Sequence, residues 1–410
     1  MRLVAVGSGV GGGPWVSSYV GGRNEKVGQC FYAVEDRKVA VDEGGDAVAG
    51  GGKRVAEVVV AAVATVVLGV GNRVLYKLAL VPLKQYPFFL AQLATFGYFT
   101  FMIEFVYFRY VIVYFGILYI RHHAGIVTDE MLHAPKAPFI VVGILEALAA
   151  ATGMAAGAIL SGASIPILSQ TFLVWQILLS IIFLGRRYKV NQLLGCFLVT
   201  IGVVVTVASG AGAGDSLKEG GMFWTLLMIV SFFLQAADTV LKEIIFLDST
   251  QKLKGGSMDL FVVNSYGSAF QALFICLLLP FLSKLWGIPF GQLPNYLKDG
   301  AACFLNIGTL SSGCDGAPLL PLLFIIVNIG FNIALLHLLK ISSAVVSCLA
   351  STFSVPISIY VFTMPLPYLG VASSLPTGFM AGAVILLVGL LIYAWTPSNG
   401  SSGASFSTST

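Results

Sequence analysis

An all-α fold of many membrane-spanning helices is what this sequence predicts, on three observations. Of its 410 residues, 57% are hydrophobic and 10% are charged, too few polar groups to coat a soluble globule. Its apolar residues fall in runs of about twenty, the length that crosses a roughly 30 Å hydrocarbon core at about 1.5 Å per residue. Short basic or glycine-rich turns separate the runs. The clearest is Gly185-Arg186-Arg187-Tyr188-Lys189, set between the uncharged stretch 163–184 and the apolar run from Val190.

Taken in order, the chain starts with a polar, glycine-rich tail, 1–54, that carries Glu35, Asp36, Asp42, Glu43 and Asp46 and no apolar block of signal-peptide length. Gly7-Ser8-Gly9-Val10-Gly11-Gly12 matches the glycine turn of dinucleotide-binding folds. Gly13-Pro14 stops the helix that would have to follow, and no second strand appears, so no cofactor is expected. Ten spans come next, over 56–80, within 88–120, then 139–160, 163–184 and 190–208, followed by 222–247, 260–286, 319–339, 343–362 and 378–396. Segment 287–318, broken by Gly and Pro, reads as an interfacial helix and loop, and 397–410 as a polar tail.

The two groups of five, 55–209 and 222–396, show a faint internal likeness. Asn72-Arg73-Val74-Leu75-Tyr76-Lys77 parallels Asp238-Thr239-Val240-Leu241-Lys242-Glu243, and Gln170-Thr171-Phe172-Leu173-Val174 parallels Ser351-Thr352-Phe353-Ser354-Val355. An odd number of spans per half turns the halves upside down relative to each other, the build of an inverted-repeat transporter with a central site open to each face in turn. Loop lysines and arginines set the orientation. Arg121, Lys136, Arg186, Arg187, Lys189, Lys252, Lys254 and Lys340 fall on the side of the termini, against Lys84, Lys218, Lys284 and Lys298 on the other, so the termini are expected on the cytosol-like side.

Polar side chains inside spans point to the site, because lipid cannot satisfy them and each ionisable group costs at least about 2.5 kcal/mol to insert. Glu146 stands alone among small residues in the third span, either titrating as a proton is carried or hydrogen-bonding as a neutral acid. Asp238 and Lys242, four apart, either neutralise one another or meet substrate. Arg73, beside Asn72, either snorkels to the interface or offers a carboxylate two parallel hydrogen bonds. Gln170, Thr171, Gln235, Asn264, the pair Asn328 and Asn332, Ser347, Ser351 and Thr352 add amides and hydroxyls for one polar cavity. Gly153-Met-Ala-Ala-Gly157 and Gly378-Phe-Met-Ala-Gly382 are read as helix-packing motifs.

Several other classes of function are disfavoured. A net charge of +4 spread over short loops is no nucleic-acid footprint, so lipid and a small solute are the expected partners; no oligomeric state is read. Six scattered cysteines without a CxxC indicate no zinc site. Cys303 and Cys314 share one loop, and a disulfide and two free thiols both stand. Gly212-Ala-Gly-Asp215 matches the GxGD of intramembrane aspartyl proteases, but it lies in a loop and the chain has no Tyr-Asp, so no enzyme is expected.

With these residues in view, the chain resembles the plant CRT-like transporters, relatives of the chloroquine resistance transporter within the drug/metabolite transporter superfamily. The likeness runs from about 71 to 395. It rests on Val74-Leu-Tyr-Lys-Leu-Ala-Leu80, Leu168-Ser-Gln-Thr-Phe172, Gly185-Arg-Arg-Tyr188 with Asn191-Gln-Leu-Leu-Gly195, Leu241-Lys-Glu-Ile-Ile-Phe246 and the cysteine-bearing segment 302–318. The resemblance implies a ten-helix fold and movement of glutathione and γ-glutamylcysteine across the plastid envelope. It also sets Asn72, Arg73 and Glu146 where the family has cavity-lining amide, basic and acidic residues. A nucleotide sugar, an organic cation or another metabolite as cargo, and a scaffold that transports nothing, remain as rivals.

Two departures stand out. The acidic tail is unlike a Ser-rich transit peptide, so plastid targeting rests on the resemblance. Second, 88–120 is 33 residues, about 50 Å of helix, too long for one span and too short for two. Excising 99–110 leaves a 21-residue span, so those twelve residues read as an insertion.

Overall fold

The computed structural model describes residues 47–90, 109–160, 165, 168–208, 221–253, 257–285, 287–306, 314, 316–365 and 378–394. Every regular element among them is helical: α1 (Ala47–Ala79), α2 (Arg109–His123), the short α3 (Asp129–Leu132), α4 (Ala137–Ile159), α5 (Gln170–Leu184), α6 (Val190–Ala208), α7 (Gly221–Lys252), α8 (Leu260–Leu285), α9 (Leu293–Leu305), α10 (Leu319–Ile341), α11 (Ala344–Phe362) and α12 (Phe379–Ala394). Six of them, α1, α4, α7, α8, α10 and α11, are long and apolar enough to cross a bilayer, and α5, α6 and α12 are apolar but shorter.

The described helices fall short of the expected spans in two places. The span expected over 163–184 has its long described helix only from Gln170; Ile165 and Leu168 are helical too, and Ser169 N donates to Ile165 O at 2.8 Å, while 161–164 and 166–167 lie outside the described residues. Of the long stretch 88–120, only 88–90 and α2 are described, so nearly all of the inferred insertion at 99–110 lies outside the described residues. So do the tails, the glycine motif at 7–12 and the GxGD string.

Helix ends follow local chemistry. Pro138 sits in the first turn of α4 and Pro294 in that of α9, where a missing N–H costs nothing. Gly185 closes α5 in the left-handed region at φ 65°, which glycine enters without a Cβ penalty. The Ser343 hydroxyl accepts the Val346 N–H at 3.3 Å and caps α11.

Packing differs from seam to seam. Between α6 and α12 the backbones nearly touch: a Cβ on Gly202 would lie 2.6 Å from Leu386 N, and one on Gly195 would lie 2.7 Å from Gly389 O. Cys196, Val199, Val203 and Leu386 fill the rest, against Leu173, Val345 and Leu349 of α5 and α11. Between α4 and α7, Gly153 and Gly157 face Ser231 and Met228, and the Ser231 hydroxyl donates to Ala149 O at 2.8 Å. Gly143 of α4 leaves no room for a Cβ beside Phe270 of α8. At the end of the bundle carrying α9, Leu293, Leu297, Ala301 and Phe304 turn one apolar face onto Leu83, Phe88 and Phe89, and a disulfide joins Cys303 to Cys314. Burial there pushes the Tyr296 phenol up to about 12, so it stays neutral.

Candidate functional site

A cavity of about 620 Å³ lies among α1, α2, α4, α5, α7, α8, α10 and α11. That volume is in the usual range for small-molecule sites. Helical periodicity builds its walls. On α7, Gln235, Asp238, Thr239 and Lys242 recur at three- and four-residue intervals and so share one face; on α8, Asn264, Ser268 and Gln271 do the same. Asn328 and Asn332 line it from α10, and Ser347, Ser351 and Thr352 from α11.

Its charges are not arranged as the sequence suggested. Glu146 does not stand alone: the Lys242 ammonium bonds to its Oε1 and also to Asp238 Oδ2 at 2.8 Å, so one cation bridges two carboxylates. The expected i,i+4 pair on α7 is present, but α4 adds a second acid to it, a contact between residues 96 apart in the chain. Three residues therefore carry a net charge of −1 when all are ionised. The second oxygen of Asp238, Oδ1, is buried with no hydrogen-bond partner among the described residues.

Arg73 turns into the bundle and lines the cavity instead of snorkelling outward. Its guanidinium donates to Ser354 Oγ and approaches Ser351 O at 3.5 Å, and no carboxylate pairs with it among the described residues. Ser354 in turn donates to Ser351 O at 2.5 Å, fixing the hydroxyl that holds the arginine. The cavity thus carries an uncompensated positive charge at Arg73 and a net negative charge at the bridged acids.

Twelve of the fourteen residues singled out from sequence line the cavity: Arg73, Glu146, Gln170, Gln235, Asp238, Lys242, Asn264, Asn328, Asn332, Ser347, Ser351 and Thr352. Asn72 stands behind the wall, accepting the Asn328 amide at 3.0 Å and so orienting a side chain that does line it. Thr171 turns away and donates to Leu168 O at 2.7 Å, which spends its hydroxyl within its own helix end. The residues missed include Tyr114, Ser268 and Gln271. Spacing from Asn264 by four and seven was a legible signal for the last two; a tyrosine in an apolar run gave none.

A second charged cluster closes one end of α11. Glu243, the neighbour of Lys242, is buried and turns to another side of α7; its Oε2 accepts the Ala344 N–H at 3.0 Å, and Arg186 from the basic turn bonds to its Oε1. An acid at a helix N-terminus satisfies an orphan donor and meets the positive end of the helix dipole. Arg121 pairs with the buried Asp259 at 2.6 Å, and Asp259 Oδ1 accepts the Phe261 N–H at 2.9 Å at the start of α8. Sequence reading gave Arg186 and Arg121 only a part in orientation.

Apolar helices long enough to cross a bilayer, packed around an internal cavity that keeps four charged side chains away from lipid, define a membrane transporter. Comparison with known proteins gives the family. The CRT-like, chloroquine-resistance transporter-like family matches residues 58–393. Two proteins of Arabidopsis thaliana are similar over most of the chain: Protein CLT3, chloroplastic, at 65% identity over 92% of this chain and 81% of its own, and Protein CLT1, chloroplastic, at 67% over 88% and 78%. The Chloroquine resistance transporter of Toxoplasma gondii is 25% identical over 69% of this chain and 33% of its own. The chain belongs to the CRT-like family and is a multi-pass membrane protein of the chloroplast.

Proposed function

We propose that this protein is a secondary transporter of the plastid envelope that moves glutathione and γ-glutamylcysteine by alternating access, with ten spans arranged as two inverted halves of five. The observation that carries the substrate reading is the cavity's Arg73, which pairs with no carboxylate among the described residues, a rigid five-donor fork suited to a carboxylate and set among amides that suit a peptide backbone. A scaffold would have no use for such charges, each expensive in a membrane. A nucleotide sugar or an organic cation would satisfy only one of the two charged parts of the wall. Under this arrangement the Cys303–Cys314 disulfide faces the compartment away from the termini.

Transport is coupled to protons through Glu146, whose protonation takes the group of Glu146, Lys242 and Asp238 from a net charge of −1 to neutral. Glu146→Gln removes the dependence of transport on a pH gradient while the protein stays in the membrane; unchanged pH dependence would refute this role. The first test is uptake of labelled glutathione and γ-glutamylcysteine into proteoliposomes. Uptake above empty vesicles, saturable and reduced by Arg73→Ala more for anionic peptides than for amidated ones, is expected. Absence of uptake of either thiol by folded protein would return the choice to the rival cargoes or to the scaffold.

A further inference from the structure

The cavity's two charged parts are unlike, and their difference says what a ligand must carry. The Arg73 guanidinium meets a hydroxyl and a carbonyl oxygen, and no carboxylate pairs with it among the described residues. At the other part, Lys242 is saturated by two carboxylates, so its charge is not available to an anion. What remains there is one surplus negative charge and a buried oxygen, Asp238 Oδ1, with its lone pairs unused among the described residues. The Asp238 residue is only 7% exposed, so bulk water is a poor source of the missing donor.

We propose that Asp238 and Glu146 form an amine-reading subsite, for which the Lys242 ammonium is the built-in stand-in, and that the cavity therefore selects zwitterions: solutes with a primary ammonium for this subsite and a carboxylate for Arg73. A tethered ammonium already shows that the site accepts this group, with hydrogen bonds to both acids. An incoming ammonium adds the donor that Asp238 Oδ1 lacks and neutralises the surplus charge of that subsite, while Arg73 pairs with a carboxylate of the same ligand. Asn264 Nδ2, a cavity-wall donor with no partner among the described residues, supplies a neutral contact for a ligand carbonyl. Neither a cation nor an anion alone balances both parts. This rests on the peptide-transport reading and adds to it the requirement for a free amine.

The first arm of the test alters the ligand on unaltered protein, so its result does not depend on a variant's folding. Reduced glutathione, its N-acetyl derivative, a carboxyl-amidated derivative and the thiol-free dipeptide glycylglycine are compared by ligand-induced thermal shift and by competition with labelled glutathione in proteoliposomes. N-acetylation is expected to weaken binding ten- to a hundredfold or so, the usual worth of a charged hydrogen bond. Asp238→Asn should shrink that penalty, whereas Arg73→Ala should leave it and abolish the penalty for amidation. Equal binding of free and N-acetylated ligands overturns the proposal, as does failure of every amine-bearing ligand to bind. Glycylglycine binding with an intact amine requirement, without transport of any thiol peptide, would uphold the subsite and remove the thiol-peptide reading instead.

Discussion

Along the seam of α6 and α12 two backbones meet at glycines, with a threonine hydroxyl returned to its own helix, Thr206 Oγ1 to Gly202 O at 2.7 Å. Along the seam of α4 and α7 one small-residue contact, Ser231 to Ala149 O, gives way to Glu146, Lys242 and Asp238 facing a cavity. Lipid tails are as apolar as leucine, so neither seam is held by a hydrophobic drive; close van der Waals approach holds the first, and charge and hydrogen bonds hold part of the second. The first seam can serve stability alone. Packed glycines would have closed the second more cheaply than inserted charges, and that the charges are there marks the second as the working one.

The hardest blow to this contrast is Lys242→Met. It strands two carboxylates in the cavity wall, and removing one partner of a buried ion pair costs about 3–5 kcal/mol. Protein of lowered melting temperature in detergent is expected, with partial recovery when Asp238→Asn and Glu146→Gln are added; a single variant as stable as the parent would show that the pairs are not what holds this seam. Next comes Gly202→Leu, which has backbone and not a flexible side chain in its way. Overpacking of this kind costs about 3 kcal/mol. Whatever folded protein remains should bind ligand with unchanged selectivity, which thermal shift with glutathione and its capped derivatives would measure; altered selectivity would break the division of labour between the seams.

Glu243→Gln sharpens the comparison within α7 itself, since its neighbour Lys242 works in the cavity and Glu243 at the end of α11. Losing charge-assisted bonds to Arg186 and the Ala344 N–H should cost about 1.5–3 kcal/mol without changing which ligands bind. A change in ligand preference larger than the change in melting would assign Glu243 to the site. The smallest effect is expected of Asn72→Ala, which frees the Asn328 amide and should cost about 1 kcal/mol, read as a modest loss of affinity for peptides.

Much of the site was legible because polar groups inside apolar runs have few places to go. Arg73, Glu146, Asp238 and the amides could be listed from sequence, and helical spacing put Gln235, Asp238 and Lys242 on one side of α7. Pairing was another matter. Glu146 and Lys242 are far apart in the chain, and nothing local says that α4 lies against that side of α7. Thr171 shows the reverse failure: its own helix end satisfies its hydroxyl, an outlet open to any serine or threonine in a helix.

By itself the sequence determined that this is a helical membrane protein, where most of its helices run, and which side chains are too polar for lipid, because each of these follows from the cost of burying a group in hydrocarbon and from the 3.6-residue turn. Only the tertiary structure decided that Gly195 and Gly202 meet Gly389 and Gly382, that Arg73 stays without an acid among the described residues, and that Lys242 spans two. Contacts between helices depend on which faces meet and how closely, and an apolar run with a glycine or a glutamate in it fits many partners until all of them are packed at once.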